Sequence, residues 1–318
     1  MILVIGEALI DLIGKADGDG KYQAVVGGAN ANVALALARR GEPQKFLGRI
    51  STDGFGQMIR HRLASNGVDL SLSVSASEQT SLAVATIGQG GGASYSFYLN
   101  GTADWAWAEN ELPTVSEVSA LGASCVQYGC LTMAVEPGSS VVSNWLAGLS
   151  GLTRSHDLNI RSSLGFERER ELERVLKIND YSDIIKASDA DLWWLFDLAD
   201  GSDIDEIAHA WSDGGRLVVI TRGGDGASLY RGGRRIDVSA PRISLVDTVG
   251  AGDTFMANLL GELSSRGALG DNPRERLVDL NEDELIAAAH FAAVAAGLVC
   301  ERQGCEPPTK AEVQALLG

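Results

Sequence analysis

Leu245-Val246-Asp247-Thr248-Val249-Gly250-Ala251-Gly252-Asp253-Thr254-Phe255 reads as a strand delivered through a glycine turn into a helix whose apolar face is Phe255, Leu259, Leu260 and Leu263. Gly250, Ala251 and Gly252 leave free backbone N–H groups at the helix N-terminus, where the aligned peptide dipoles favour an anion. Asp253 then stands at the mouth of that anion site. A carboxylate is a poor neighbour for an anion unless it has work there, and orienting or deprotonating a hydroxyl beside a phosphate is such work. Capping the helix is the plain alternative. The Gly-x-Gly turn and the second carboxylate, Asp247, favour the chemical reading. The stretch is not a dinucleotide fingerprint, which needs a third glycine, and the chain contains no Gly-Lys-Ser/Thr phosphate loop.

The same strand-to-helix rhythm runs outward from it. Met1–Gly6, Lys45–Gly48, Cys125–Gly129, His156–Ile160, Asp183–Lys186 and Leu217–Thr221 are short apolar runs. Between them Ala31–Arg40, Gly54–Asn66, Val141–Leu149, Arg168–Lys177, Ala190–Leu195 and Asp205–Ser212 read as helices. The alternation predicts an α/β fold, a doubly wound and mainly parallel sheet with helices on both faces, which gathers ligands at the carboxyl ends of its strands. Two segments break the rhythm. Lys21–Val26 and Leu82–Tyr98 read as strands, the second as a hairpin turning at Gly88, Gly90, Gly91 and Gly92. They predict a small β-sheet lid built from insertions at about 12–27 and 82–105 of one α/β domain spanning 1–318, since no Ser/Pro-rich linker or repeat is visible. Further on, Asp253–Arg266, Glu282–Leu298 and Lys310–Leu317 read as helices, the middle one apolar nearly all round and therefore buried.

With 26 basic and 42 acidic residues the net charge is −16, which repels a phosphate backbone and argues against nucleic acid or an anionic membrane as partner. A small anion needs only local donors. Glycine is abundant, 38 of 318 residues, and proline scarce at 7, so the glycines serve turns and ligand approach rather than a low-complexity tract. The N-terminal run Met1–Gly14 lacks a basic flank and contains Glu7 and Asp11, which reads as a buried first strand rather than an export signal. The most membrane-like run, Ala287–Cys300, is too short to span. Cys125, Cys130, Cys300 and Cys305 lack the spacing of a metal or redox motif and are expected reduced and mostly buried, in a cytoplasmic protein.

Gly27-Gly28-Ala29-Asn30-Ala31-Asn32 precedes a helix of small residues. Its glycines allow close backbone approach. Asn30 or Asn32 offers donors and an acceptor to a polyhydroxylated ligand, and Asp11 can accept from two adjacent hydroxyls. Singly, each has a plain alternative in a cap or a turn. Val219–Ala227, rich in glycine, follows a buried strand and could bring backbone against a nucleotide or make a tight hairpin turn.

Taken together, Gly6–Asp11, Gly27–Asn32, Gly48–Gly56, Thr221–Gly226 and Asp247–Asp253 resemble, in order, the segments of the ribokinase-like (PfkB) carbohydrate kinase family. Tyr95–Tyr98, Gly101–Asp104, Asp157–Arg161 and Cys300–Pro308 look most like bacterial fructokinases, and 2-keto-3-deoxygluconate kinases share some of these features. The resemblance implies ATP-dependent phosphorylation of a monosaccharide hydroxyl, most simply fructose, with Mg2+, and it admits K+ beside Asp247 and the Cys300–Glu306 loop and a homodimer. It implies that Asp253 is the catalytic base and Gly250, Ala251 and Gly252 the anion hole. Asp11, Gly28, Asn32, Phe97 and Arg161 would bind the sugar. Lys186, Ser188, Thr221, Gly223 and Gly226 would line the nucleotide, and Asp191 would reach the metal through water.

The chain departs from the family at named places. Asn-x-x-Glu becomes Ser188-Asp189-Ala190-Asp191, a lid Tyr-Arg pair becomes Tyr98-Leu99, and an Asn near the adenine becomes Ala292 or Ala293. A non-catalytic sugar-binding regulator is the rival from another class, and retention of Asp253 with its glycines argues against it. A nicotinamide oxidoreductase is disfavoured by the missing third glycine.

Overall fold

A parallel strand covered on both faces has to be apolar on both, and alternate residues of one strand then belong to different cores. Ile2 and Val4 pack into one buried cluster and Leu3 and Ile5 into another, and Leu217 and Val219 part from Val218 and Ile220 in the same way. The computed structural model describes residues 1–15, 20–87 and 93–317. Its main sheet is 8-stranded, in the order Arg234–Val238, Ala227–Arg231, Leu217–Thr221, Ile184–Ser188, Thr153–Asp157, Cys125–Gly129, Ile2–Ile5 and Gln44–Leu47. The strands from Leu217–Thr221 onward in that order run parallel; the first two add an antiparallel edge. Helices Ala29–Arg39, Ala251–Ser265 and Glu282–Cys300 cover one face. Gly138–Gly148, Arg168–Tyr181 and Asp205–Ser212 cover the other.

Glu282–Cys300 begins at a capping box formed by Asn281 and Glu284. At 19 residues it is long and apolar enough to cross a membrane, contrary to the shorter run read from the sequence, but it is largely buried and packs along Ala251–Ser265. All four cysteines are free and buried.

The apolar run at the N-terminus is two strands in two sheets. It leaves the main sheet at Ile5, and Gly6 lets the chain turn where any Cβ would lie 2.3 Å from the Asn30 side chain. Leu9–Lys15 then pairs antiparallel with Tyr22–Gly27 and parallel with Leu82–Ile87, and Ala93–Tyr98 closes a 4-stranded second sheet. This small sheet thus starts at Leu9, earlier than the sequence suggested. The expected turn at Gly88 and Gly90–Gly92 lies outside the described residues.

Leu245–Asp247 is not a strand. Leu245 and Val246 are 65% and 61% exposed, and the N–H groups of Val246 and Asp247 donate to Cys300 O rather than to a neighbouring strand. The antiparallel pair Ala227–Val238 already forms that end of the sheet, and Leu245–Asp247 does not add to its outer strand. The strand expected at His156–Ile160 is Thr153–Asp157. The chain leaves the sheet there, with Asn159 in the left-handed region at φ 41.

Candidate active site

Helix Ala251–Ser265 starts from Gly250, whose φ of 76 is the left-handed conformation and whose absent Cβ would stand 2.3 Å from Cys305 Sγ. Inside that turn Ala251 N–H donates to Thr248 O (3.2 Å) and Thr254 N–H to Gly250 O (2.8 Å). The free N–H read from the sequence for Ala251 is therefore already engaged in the turn. The N–H groups of Gly250, Gly252 and Asp253 have no acceptor among the described residues, which leaves this cradle of three donors open to an anion.

Asp253, 6% exposed, is met from two other elements. Asn32, on helix Ala29–Arg39, donates its Nδ2 to Asp253 Oδ2 at 2.8 Å, and Asn159, just beyond strand Thr153–Asp157, donates to Oδ1 at 3.4 Å. Burial pushes the Asp253 carboxyl up to about 7; the Asn32 hydrogen bond opposes this, Asp157 adds to it, and Lys186 and Arg161 pull the other way. Lys186, on the adjacent strand, lies under the helix turn, its Nζ 3.4 Å from where a Cβ on Gly252 would be. It holds both oxygens of Asp157 at 2.9 and 2.8 Å. Burial disfavours the Lys186 charge, but Asp157 outweighs it and the net shift is upward.

The small sheet supplies the facing wall. Asp11, on Leu9–Lys15, has its carboxyl raised by burial to about 6, with Arg161 pulling it down. A Cβ at position 27 would come 2.1 Å from Asp11 Oδ2 and displace that carboxylate, and Gly28, at φ 105, passes against Glu7 O. Phe97, opposite Ala83, packs with Leu9, Leu99, Trp105 and Cys130. Arg161 follows four residues after its strand ends, beside Cys130, and its charge is favoured by these surroundings, the carboxyls of Asp253 and Glu7 among them. The residue is exposed, and it joins no ion pair within 4.0 Å among the described residues. A narrow crevice at this junction is lined by Asn30, Gln127, Cys130, Asp157, Asn159 and Asp253, among others. The more open hollow at Gly214, Arg274 and Val278 holds none of these groups.

Ser188 and Thr221 stand side by side at the carboxyl ends of paired strands. Gly223–Gly226 is the connection between antiparallel strands, where a Cβ on Gly226 would overlap Val238 O at 2.0 Å. The fold alone therefore requires Gly226. Ser188 caps helix Asp189–Leu195, and Asp191 accepts from the N–H groups of Ser188 (2.7 Å) and Ile160 (2.9 Å). Asp191 thus ties down the loop that carries Asn159 and Arg161. No group of three or more potential metal ligands occurs among the described residues.

Sequence reasoning passed over four residues. Asp157 and Asn159 lie inside the Asp157–Arg161 motif, where nothing in the sequence gives either a role of its own. Glu7, 1% exposed, accepts from Ala29 N–H, Asn30 Nδ2 and Thr132 Oγ1 at 2.9, 2.9 and 2.6 Å. Asp104, 2% exposed, accepts from Ala8 N–H and Ser81 Oγ, and burial pushes its carboxyl up to about 7. The available signal was an acidic residue inside an apolar run, which has to find donors when buried.

The profile described as pfkB family carbohydrate kinase matches residues 1–312. A fructokinase of Rhizobium leguminosarum bv. trifolii is 33% identical over 90% of this chain and 85% of its own. Among solved structures, the fructokinase of Xylella fastidiosa with bound ATP superimposes with a TM-score of 0.87 at 26% identity, covering 99% of this chain and 97% of that one. A double-mutant fructokinase of Vibrio cholerae O395, solved in a form with fructose, ADP and potassium ion bound, gives 0.81 at 25% identity over 100% and 98%.

Proposed function

The chain belongs to the pfkB family of carbohydrate kinases, and on that ground we propose that it transfers the γ-phosphoryl group of ATP to a hydroxyl of fructose. The observation that carries the reading is Asp253: a buried carboxyl raised to about 7, in the first turn of a helix whose cradle N–H groups lack acceptors. In its ionised form Asp253 accepts the proton of the sugar hydroxyl as that oxygen attacks phosphorus, and its near-neutral pKa suits a base working near pH 7. Asn32 and Asn159 fix the carboxylate in place. The transition state of phosphoryl transfer needs alignment and charge compensation more than covalent chemistry. The cradle N–H groups, Lys186 and Arg161 supply that charge in a chain that is otherwise strongly acidic.

The small sheet acts as the lid. Asp11 accepts sugar hydroxyls, Phe97 covers the ring, and together they keep water from competing for the phosphoryl group. Ser188, Thr221 and the Gly223–Gly226 turn line the nucleotide side. With Asp191 and Asp157 already hydrogen-bonded, magnesium bound to the ATP phosphates would be met by them through water and would neutralise charge on the transferred group. Potassium would belong beside Asp247, whose carboxylate accepts from Gly304 N–H and Val249 N–H and so joins the cradle loop to the Cys300–Glu306 segment. Buried free thiols fit a reducing, cytoplasmic setting.

A coupled ADP-release assay over fructose, ribose, 2-keto-3-deoxygluconate, inositols and nucleosides tests the proposal. Fructose is expected to give the highest kcat/KM. A clear preference for 2-keto-3-deoxygluconate would reassign the substrate, and ADP release that no sugar stimulates would end the kinase reading.

A further inference from the structure

The roots of three lid strands meet at Asp104, which the mechanism above does not use. Its Oδ1 accepts from Ala8 N–H (2.9 Å), the residue that opens into Leu9–Lys15. Its Oδ2 accepts from the hydroxyl of Ser81 (2.5 Å), which opens into Leu82–Ile87 and whose carbonyl also accepts from Ile10 N–H (3.1 Å). Ser81 Oγ is 2.6 Å from Thr102 Oγ1, and Thr102 reaches back to Leu99 O (2.9 Å) where Ala93–Tyr98 ends. The root of the fourth strand, Tyr22–Gly27, runs into helix Ala29–Arg39, whose Ala29 N–H is held by Glu7, next to Ala8. Just beneath, the chain is anchored to the main body. Thr80 donates its N–H and hydroxyl to Asp53 at the start of helix Gly54–Ser65, and Ala103 O accepts from Arg49.

We propose that Asp104 is a positioning residue, the post on which the lid strands hinge, and that through Ser81 and Ala8 it sets the angle at which Asp11 and Phe97 meet the sugar. The consequence for sugar binding rests on the kinase reading; the hinge itself does not. Its carboxylate bridges backbone and hydroxyl across two strand roots, so losing the bridge frees the lid relative to the main sheet without touching Asp253 or the cradle. An amide at position 104 keeps an acceptor for Ala8 N–H, and its NH2 can donate to Ser81 once that hydroxyl turns toward Thr102, so Asp104→Asn serves as the conservative control.

The test measures amide hydrogen exchange of the substrate-free protein together with steady-state kinetics for Ser81→Ala, Asp104→Ala and Asp104→Asn. In Ser81→Ala and Asp104→Ala, exchange should speed up about tenfold over 9–15 and 82–87 with the main sheet unchanged, and the fructose KM should rise about tenfold with the ATP KM within about twofold. Asp104→Asn should fall within about threefold of wild type on both. If Asp104→Ala does not fold, Ser81→Ala decides. Faster exchange spread evenly over the whole chain, or an unchanged lid and fructose KM, overturns the inference. If wild type phosphorylates no sugar the kinase reading falls, and lid exchange alone decides the hinge.

Discussion

Glu7 and Asp253 are both carboxylates removed from water, and the chain treats them in opposite ways. Glu7 receives one backbone N–H, one amide and one hydroxyl, all at 2.9 Å or less, and so pins the start of helix Ala29–Arg39 to the segment that follows strand Cys125–Gly129. Asp253 receives one good amide contact and one long one, and burial prevails. A buried acceptor with its donors in place stabilises a geometry, whereas one left short of donors keeps a free-energy difference that a proton transfer can use. Between these two, the carboxylate that ties elements together has the fuller set of donors, and the one proposed as the base has the sparser set.

The largest expected effect comes from Asp253→Asn, which should lower kcat by at least about 10²-fold, as loss of a general base does. Its stability should move the other way. The folded pKa of about 7 lies above the ordinary carboxylate value of 3.8, so ionising Asp253 opposes folding increasingly as pH rises between those values, and fully above 7. The variant should therefore melt no lower than wild type at pH 8. Glu7→Gln is the converse: it turns an NH2 toward groups that are already donors and should cost about 2–4 kcal/mol, read as a fall of several degrees in Tm, while the folded fraction keeps most of its kcat. If both variants lost the same stability, the contrast would be broken. The third effect is smaller and sharpens it. kcat/KM for the sugar should fall about tenfold per pH unit below about 7, where Asp253 takes up its proton, and again toward 6 as Asp11 does. Because Arg161 lowers both, Arg161→Ala should shift that limb to higher pH in a profile from 5 to 9. An unmoved limb would assign it to other groups.

Much of the main sheet was legible, because strands buried on both faces have to be apolar in short runs, and Ile2–Ile5, Cys125–Gly129 and Leu217–Thr221 are. The opening run misled, since Leu9–Lys15 continues the same composition into another sheet and the break rests on one glycine packed against Asn30. Leu245–Val249 misled as well: Leu245, Val246 and Val249 stay exposed, and the N–H groups of Val246 and Asp247 bond to Cys300 O instead of to a strand. At the candidate site, groups that share a local turn, Gly250, Gly252 and Asp253, were readable together because they are neighbours in sequence. Contacts such as Asn32 to Asp253 and Lys186 to Asp157 join elements distant in the chain, and single-residue chemistry does not reveal which acceptor a donor will find. Asp104 was hidden most deeply, because its partners are the roots of strands rather than a motif.

Gly250 leans on Cys305, and the segment carrying that thiol is held down by Glu306, which bridges Arg39 and Arg62 on the helices that follow the first lid hairpin and the strand Arg49–Ser51. A ribosome delivers those parts in a fixed order. The arginines, the lid strands and the main sheet are all translated before residue 305, so the phosphate cradle is the last part of the site to gain its backing. On the ribosome the turn at Gly250 therefore gains this backing only after residues 305 and 306 have emerged, later than every strand of the main sheet.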